Sequence, residues 1–160
     1  MIVLTTATLL CSLVAGLVFA FAVVVMPGIR NLNDRDFIRA FQVMDRVIQN
    51  NQPLFMLVWV GSAVSLIASA CLGITQVEGA NLVLLVAATC AYLFSVQLPT
   101  IAINIPLNNR LQTLNVEVMD ETDRQLARDS FETRWNRWNV IRTLFACLTT
   151  AMLLILLLRL

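Results

Sequence analysis

The chain contains no histidine and no lysine, so every basic residue is an arginine. Without histidine, the side chain most often used as a general base near neutral pH is missing, as is the commonest metal ligand. Charge is scarce altogether, at 13% of residues against about 25% in a soluble domain. A net charge of +1 offers no basic surface, so no nucleic-acid partner is expected. Cys11, Cys71, Cys90 and Cys147 form no C-x-x-C pair, so the spacing of a zinc or redox motif is absent and no metal is expected. One cysteine falls in each long apolar run, which suits small buried hydrophobes better than a disulfide or a four-thiolate site. No carboxylate interrupts those runs, which argues against a proton relay or an ion pump.

What the chain has in excess is apolar surface. Hydrophobic residues make up 59% of the 160, well above the roughly 45–50% of soluble domains. A soluble fold of this size could not hide so much, and the excess has to face lipid. Four segments carry it: Ile2 to Met26, stopped at Pro27; Leu54 to Leu72, stopped at Gly73; Ala80 to Ile105, stopped at Pro106; and Val140 to Leu158, with Arg142 near its start. Each reaches the roughly 17–25 residues that cross a bilayer, and none has the polar stripe of a water-soluble helix. Ala20-Phe21-Ala22 resembles a signal-peptide cleavage site. No basic residue precedes that first run, however, and it exceeds the roughly 7–15 residues of a signal-peptide core, so it reads as an uncleaved span. The expected fold is all-α: an integral membrane four-helix bundle, with residues 1–160 forming a single transmembrane domain. Gly61, Ser65 and Ser69 in span 2, and Gly16 and Ala20 in span 1, are the small residues that let helices approach in lipid.

The arginines imply a topology. Arg30, Arg35, Arg39 and Arg46 follow span 1, and Arg110, Arg124, Arg128, Arg134 and Arg137 follow span 3, while the other side has Arg159 alone. Positive charge stays cytoplasmic in short connections. Both long connections are therefore expected inside and both termini outside, in a bacterial plasma membrane. Two short amphipathic helices are expected at that inner face. Between Asn33 and Asn50, Phe37, Phe41, Met44 and Val47–Ile48 recur at helical spacing, with Asn33 as N-cap. Asp34, Arg35, Asp36, Arg39, Asp45 and Arg46 are left for the outer face. From Asp120 to Trp138, one face presents Phe131, Trp135 and Trp138, and this helix is expected to run straight into span 4. Both helices would lie in the interface and cap the bundle.

The densest polar signal lies at the inner end of span 3. Gln97, Thr100 and Asn104 follow at i, i+3 and i+7 and share a face that must turn from lipid, while Pro99 and Pro106 free the carbonyls of Ser95 and Ala102. Span 4 answers with Trp135, Asn139 and Arg142 at i, i+4 and i+7. Antiparallel packing brings Asn104, Asn108, Asn139 and Arg142 to one level, near Met26 and Pro27. Two readings fit. In one, amides and Arg142 tie helix ends together, with Arg142 bonding freed carbonyls or reaching phosphates. In the other they line a small pocket. Arg142 and the amides would orient an anionic or phenolic oxygen there, with Trp135 and Trp138 stacked on an aromatic body.

Several stretches carry a resemblance. Phe19-Ala20-Phe21, then Val25-Met26-Pro27-Gly28-Ile29-Arg30 with Asp34 and Phe37, form the first. Asn104-Ile105-Pro106-Leu107-Asn108 is the second, and Phe131-Glu132, Trp135, Trp138-Asn139, Arg142 and Thr143 the third. In these the chain resembles the anthrone-oxygenase-like family of four-span membrane proteins. The resemblance implies a four-span fold and, from some fungal members, oxidation of anthrones to anthraquinones by dioxygen with no known metal or flavin. No cofactor is expected on that basis. Related bacterial chains often read Trp-Asn-His before the arginine; the corresponding residue here is Val140, which would leave a histidine-dependent mechanism without its base.

The functional expectation is a multi-pass membrane protein that binds or oxidises a small planar phenolic or aromatic compound at the inner mouth of the bundle. Asn104, Asn108, Trp135, Asn139 and Arg142 are its expected binding residues. The alternative is a non-catalytic scaffold that binds lipid or a partner through its arginine-rich helices. Partners are the bilayer, a small aromatic ligand and, since four spans are few for a pathway, further copies of the chain. The topology makes a direct prediction. A phosphatase that works only outside the cytoplasm, fused after Leu160, should be active, and the same enzyme fused after Asn50 should be silent; the reverse pattern would invert the orientation.

Overall fold

The computed structural model describes residues 1–160. Four of its helices are long and apolar enough to cross a membrane: α1 (Ile2–Ile29), α3 (Pro53–Gln76), α4 (Gly79–Gln112) and α5 (Glu121–Arg159). Between the first two lies α2 (Asp34–Gln49). There are no strands. Large apolar side chains such as Leu9, Leu57, Val83 and Leu144 point outward along the spans. Only a minority of each span is buried inside the bundle. That is how an integral multi-pass membrane protein distributes its surface, because hydrocarbon and not water receives it.

Pro27 and Pro106 do not stop their helices as the sequence suggested. A π-helical turn precedes each proline inside a span: Phe21–Val25 before Pro27, Leu93–Gln97 before Pro99 and Thr100–Asn104 before Pro106. In each case the residue just ahead of the proline reaches back five positions. Met26 N–H donates to Phe21 O, Leu98 to Leu93 O and Ile105 to Thr100 O. The widened turn makes room for a ring that has no N–H and would strike the carbonyl four residues back. The fourth proline, Pro53, opens α3, where a missing N–H costs nothing.

α1 packs along α3 and α5, and α4 packs along α5. Val14, Leu66, Leu85 and Leu153 belong to the buried cluster these helices share. Several polar groups beside it are satisfied locally. Ser65 and Ser69 donate to carbonyls one turn back at 2.6 and 2.8 Å, and Tyr92 shares a 2.6 Å hydrogen bond with Ser62. Gly61 lies in the α1–α3 contact, where an added Cβ would come within 3.1 Å of Leu10. Gly16 does not lie in a contact; open space surrounds it, and Ala7 and Ala15 are the small buried residues of α1. The cysteines also divide. Cys11 is buried, but Cys71, Cys90 and Cys147 face outward, since a thiol is apolar enough for lipid to replace the protein interior around it.

α2 lies across one end of the bundle. Asn33 Oδ1 accepts the Asp36 N–H at 2.9 Å and starts the helix. Phe37 and Phe41 pack with Met26, Leu111, Phe131 and Trp135 in a second apolar cluster. The buried face is turned from the one the apolar pattern suggests: Gln42 and Asp45 point in, while Val47 is exposed. Gln42 turns inward because the carbonyls ending α4 need donors, and it bonds Leu111 O at 2.8 Å and Leu114 O at 3.0 Å. On the outer side Arg35 and Arg39 both clasp Glu117. α5 is continuous from its Asp120 cap through the span.

Arg128 locks this cap to α5. Its guanidinium donates to Arg30 O (2.6 Å), Leu32 O (2.9 Å), Asp34 (2.9 Å) and Glu132 (2.8 Å), and lies 4.3 Å above the Phe37 ring. Truncation would leave two carbonyls and two carboxylates unpaired. Arg128→Ala should cost about 2–4 kcal/mol of stability, and Arg128→Lys should recover less than half of it, having no fork of donors. Denaturant unfolding in detergent measures this; a cost under about 1 kcal/mol would show that the latch contributes little.

Candidate functional site

Two residues one turn apart on α5 organise the space beneath the cap. Asn139 Nδ2 donates across the bundle to Val18 O of α1 at 3.1 Å, and its Oδ1 accepts from Arg142 Nη2 at 2.9 Å. Arg142 Nη1 donates to Thr100 Oγ1 on α4 at 2.9 Å, and Thr100 donates in turn to Val96 O at 2.7 Å. The pair therefore joins α5 to α1 and to α4. The guanidinium also lies 5.7 Å from the Trp135 ring centroid.

These ties leave functional groups unused. Arg142 is 4% exposed, yet it takes part in none of the protein's ion pairs. Its Nε has no hydrogen-bond partner. Asn104, in the π turn of α4, is 2% exposed and has no partner for either side-chain polar atom. Buried polar groups without partners cost free energy, and buried charges without counterions cost more.

Both residues line a cavity of about 310 Å³, together with Asn108, Trp135 and Asn139. All five residues expected from the sequence thus meet around one space. Trp138 and Gln97 do not line it. The aromatic wall is built instead by Trp135 with Phe21 and Phe41, at ring separations of 5.7 and 5.4 Å, and by the stacked pair Phe55–Trp59 of α3 at 5.5 Å.

Among the lining residues that sequence reasoning did not place there is the cavity's carboxylate, Asp45 of α2, which is 4% exposed. A relay of hydrogen bonds connects it to the aromatic wall. Trp135 Nε1 donates to Asn108 Oδ1 at 2.8 Å, and Asn108 Nδ2 donates to Asp45 Oδ1 at 2.8 Å. Gln49 and Gln112 donate to Oδ2 at 2.7 and 3.1 Å. A signal was present: Ile38, Phe41 and Asp45 stand at i, i+3 and i+7, so the carboxylate shares the buried face.

The cavity opens sideways. α3 and α4 run together as far as the Ser62–Tyr92 bond, and α3 then leaves the second half of α4. Met56 of α3 and Ile105 of α4 line the cavity and are also exposed on the outer surface. An apolar molecule could pass there from the lipid without crossing the cap.

The sequence model of one family, described as anthrone oxygenase, matches residues 41–152, more than half of the chain. The chain belongs to the anthrone oxygenase family. No curated protein and no solved structure gives a significant match. The family match covers Asp45 and all five expected residues, whereas the Phe19–Phe37 motif lies before it. Val140, the position at which the resemblance led to the expectation of a histidine, is 49% exposed and does not line the cavity.

Whether Arg142 is chiefly a tie or a waiting charge can be measured. Replacing a buried, unpaired ion by an apolar side chain of similar length is often neutral or stabilising. Arg142→Met should change unfolding stability by less than about 1 kcal/mol, or raise it. A loss above about 3 kcal/mol would make the arginine a structural element.

Proposed function

We propose that this protein binds a small planar phenolic compound in the lateral cavity and oxidises it with dioxygen. The observation that carries this reading is Arg142, a buried cation without a carboxylate partner that lines the cavity beside the unpaired amide of Asn104. Such an arrangement is costly while empty and favourable once an anionic oxygen arrives, which is how preorganised oxyanion sites act. The volume of about 310 Å³ suits a fused-ring compound at the small end of ligand pockets. Trp135, Phe41 and Trp59 offer flat apolar walls. The family description supports anthrones as the substrate class.

The chemistry follows from that placement. A proton leaves the central carbon of the anthrone, or the hydroxyl of its enol. The electron pair stays on the substrate as an oxyanion delocalised onto that carbon, and Arg142 and Asn104 stabilise the oxygen. The electron-rich carbon gives one electron to dioxygen, and the two radicals recombine as a carbon-bound peroxide. The peroxide takes up a proton; the carbon's remaining C–H bond and the O–O bond then break, the proton and hydroxide leave as water, and a carbonyl remains. One anthrone and one dioxygen become one anthraquinone and one water.

A lipid- or partner-binding role through the arginines of the cap has weaker support. Arg35 and Arg39 are taken by Glu117, and Arg128 by Asp34 and Glu132. The distribution of arginines supports a cytoplasmic cap with both termini outside.

Oxygen uptake by the purified protein with anthrone tests the proposal. The wild type should exceed spontaneous oxidation, and Arg142→Ala should lower the turnover number by about a hundredfold or more. Equal rates for both proteins would remove Arg142 from the mechanism, and a wild type no faster than buffer would remove the oxidation itself.

A further inference from the structure

We infer that Asp45 is the base that takes the substrate's proton, an assignment that rests on the oxidation proposed above. Asp45 and Arg142 are the only two titratable side chains facing the cavity. They have opposite sign, sit on different helices and form no ion pair with each other. A molecule between them would meet a proton acceptor on one side and a cation on the other. With no histidine in the chain, this carboxylate is the one acidic or basic group placed to accept a proton there.

The surroundings of Asp45 suit that task. Its three hydrogen-bond donors are neutral amides, from Asn108, Gln49 and Gln112, and no arginine neutralises it. A carboxylate has about four acceptor positions, so the three bonds leave one open. Because Oδ2 has two donors and Oδ1 one, the open position is on Oδ1. The bond from Trp135 to Asn108 fixes the amide that holds this oxygen, so the aromatic wall and the base are set by the same contacts. In the reaction, the substrate's C–H or O–H bond breaks and its proton passes to Asp45 Oδ1. The electron pair remains on the substrate, facing Arg142. Once dioxygen has added, the protonated Asp45 returns that proton to the peroxide and the carboxylate is restored; the carbon's remaining C–H bond and the O–O bond then break together, the proton and the expelled hydroxide leave as water, and the carbonyl forms.

Asp45→Asn in the full-length protein separates this role from a purely structural one. Two readouts are needed: binding of anthraquinone, followed by quenching of tryptophan fluorescence, and oxygen uptake with anthrone across pH. Asp45→Asn should bind anthraquinone within about threefold of wild type while its turnover falls about a hundredfold or more, the usual range for a lost general base. Its remaining rate should depend on hydroxide concentration more steeply than the wild-type rate does. Turnover and pH profile equal to wild type would overturn the assignment and leave the oxidation standing. A wild type that neither binds anthraquinone nor consumes oxygen would instead overturn the reading on which it rests. If Asp45→Asn does not fold, Asp45→Ser with added formate replaces it. Restored turnover supports a carboxylate base, and turnover indifferent to formate overturns it.

Discussion

Hydrocarbon offers no water, so every backbone polar group within a span must find its partner inside the protein. The three prolines within α1 and α4 are where this constraint bears hardest. Each is accommodated by a π turn, which keeps the helix continuous by bonding across one extra residue. An extra residue also turns everything beyond it by about 100° relative to a regular helix. Phe21, Thr100 and Asn104 all lie in such turns and all line the cavity. Accommodation of proline and construction of the site are therefore one event.

The same turns explain where sequence reading reached and where it failed. Four spans were legible because apolar runs of that length have no other use. That Thr100, Asn104, Asn139 and Arg142 face inward was legible because polar groups avoid lipid. Gln97 was expected beside Thr100 and Asn104 on the strength of regular helical spacing, but the π turns break that register, and it does not line the cavity. The span ends at Pro27 and Pro106 failed for the same reason. Asp45 was assigned to the outer face of α2 because it is charged. The structure buries it because Asn108, Gln49 and Gln112 converge on it, and contacts from distant segments cannot be counted along one helix. Trp138 shared its expected face with Trp135 by spacing, yet only Trp135 meets the cavity.

The site is not enclosed by the four spans alone. α2 contributes Phe41, Ile48 and Asp45, and its position depends on Arg128 gripping the segment between α1 and α2. The cap is thus a wall of the cavity as well as a cover for the bundle. This arrangement lets a chain of 160 residues build a pocket without large extramembrane domains. It also separates two kinds of arginine. Arg35, Arg39, Arg124 and Arg128 of the cap are matched with carboxylates, while the buried Arg142 beneath it is left unmatched.

The length of α5 has a further consequence. From Arg137 to Arg159 the helix rises about 33 Å, close to the roughly 30 Å thickness of a hydrocarbon core. Its terminal arginines therefore act as a depth gauge, and Arg142 lies about 8 Å inward of Arg137. That is the zone where flat molecules with an apolar body and one polar edge settle when they leave water. Between α3 and α4 the cavity meets the leaflet, and at its cap end it is lined by the exposed Gln49, Asn51 and Asn109. A ligand that entered by this lateral side, as proposed above, would be drawn from the membrane, and its occupancy would follow its mole fraction in lipid.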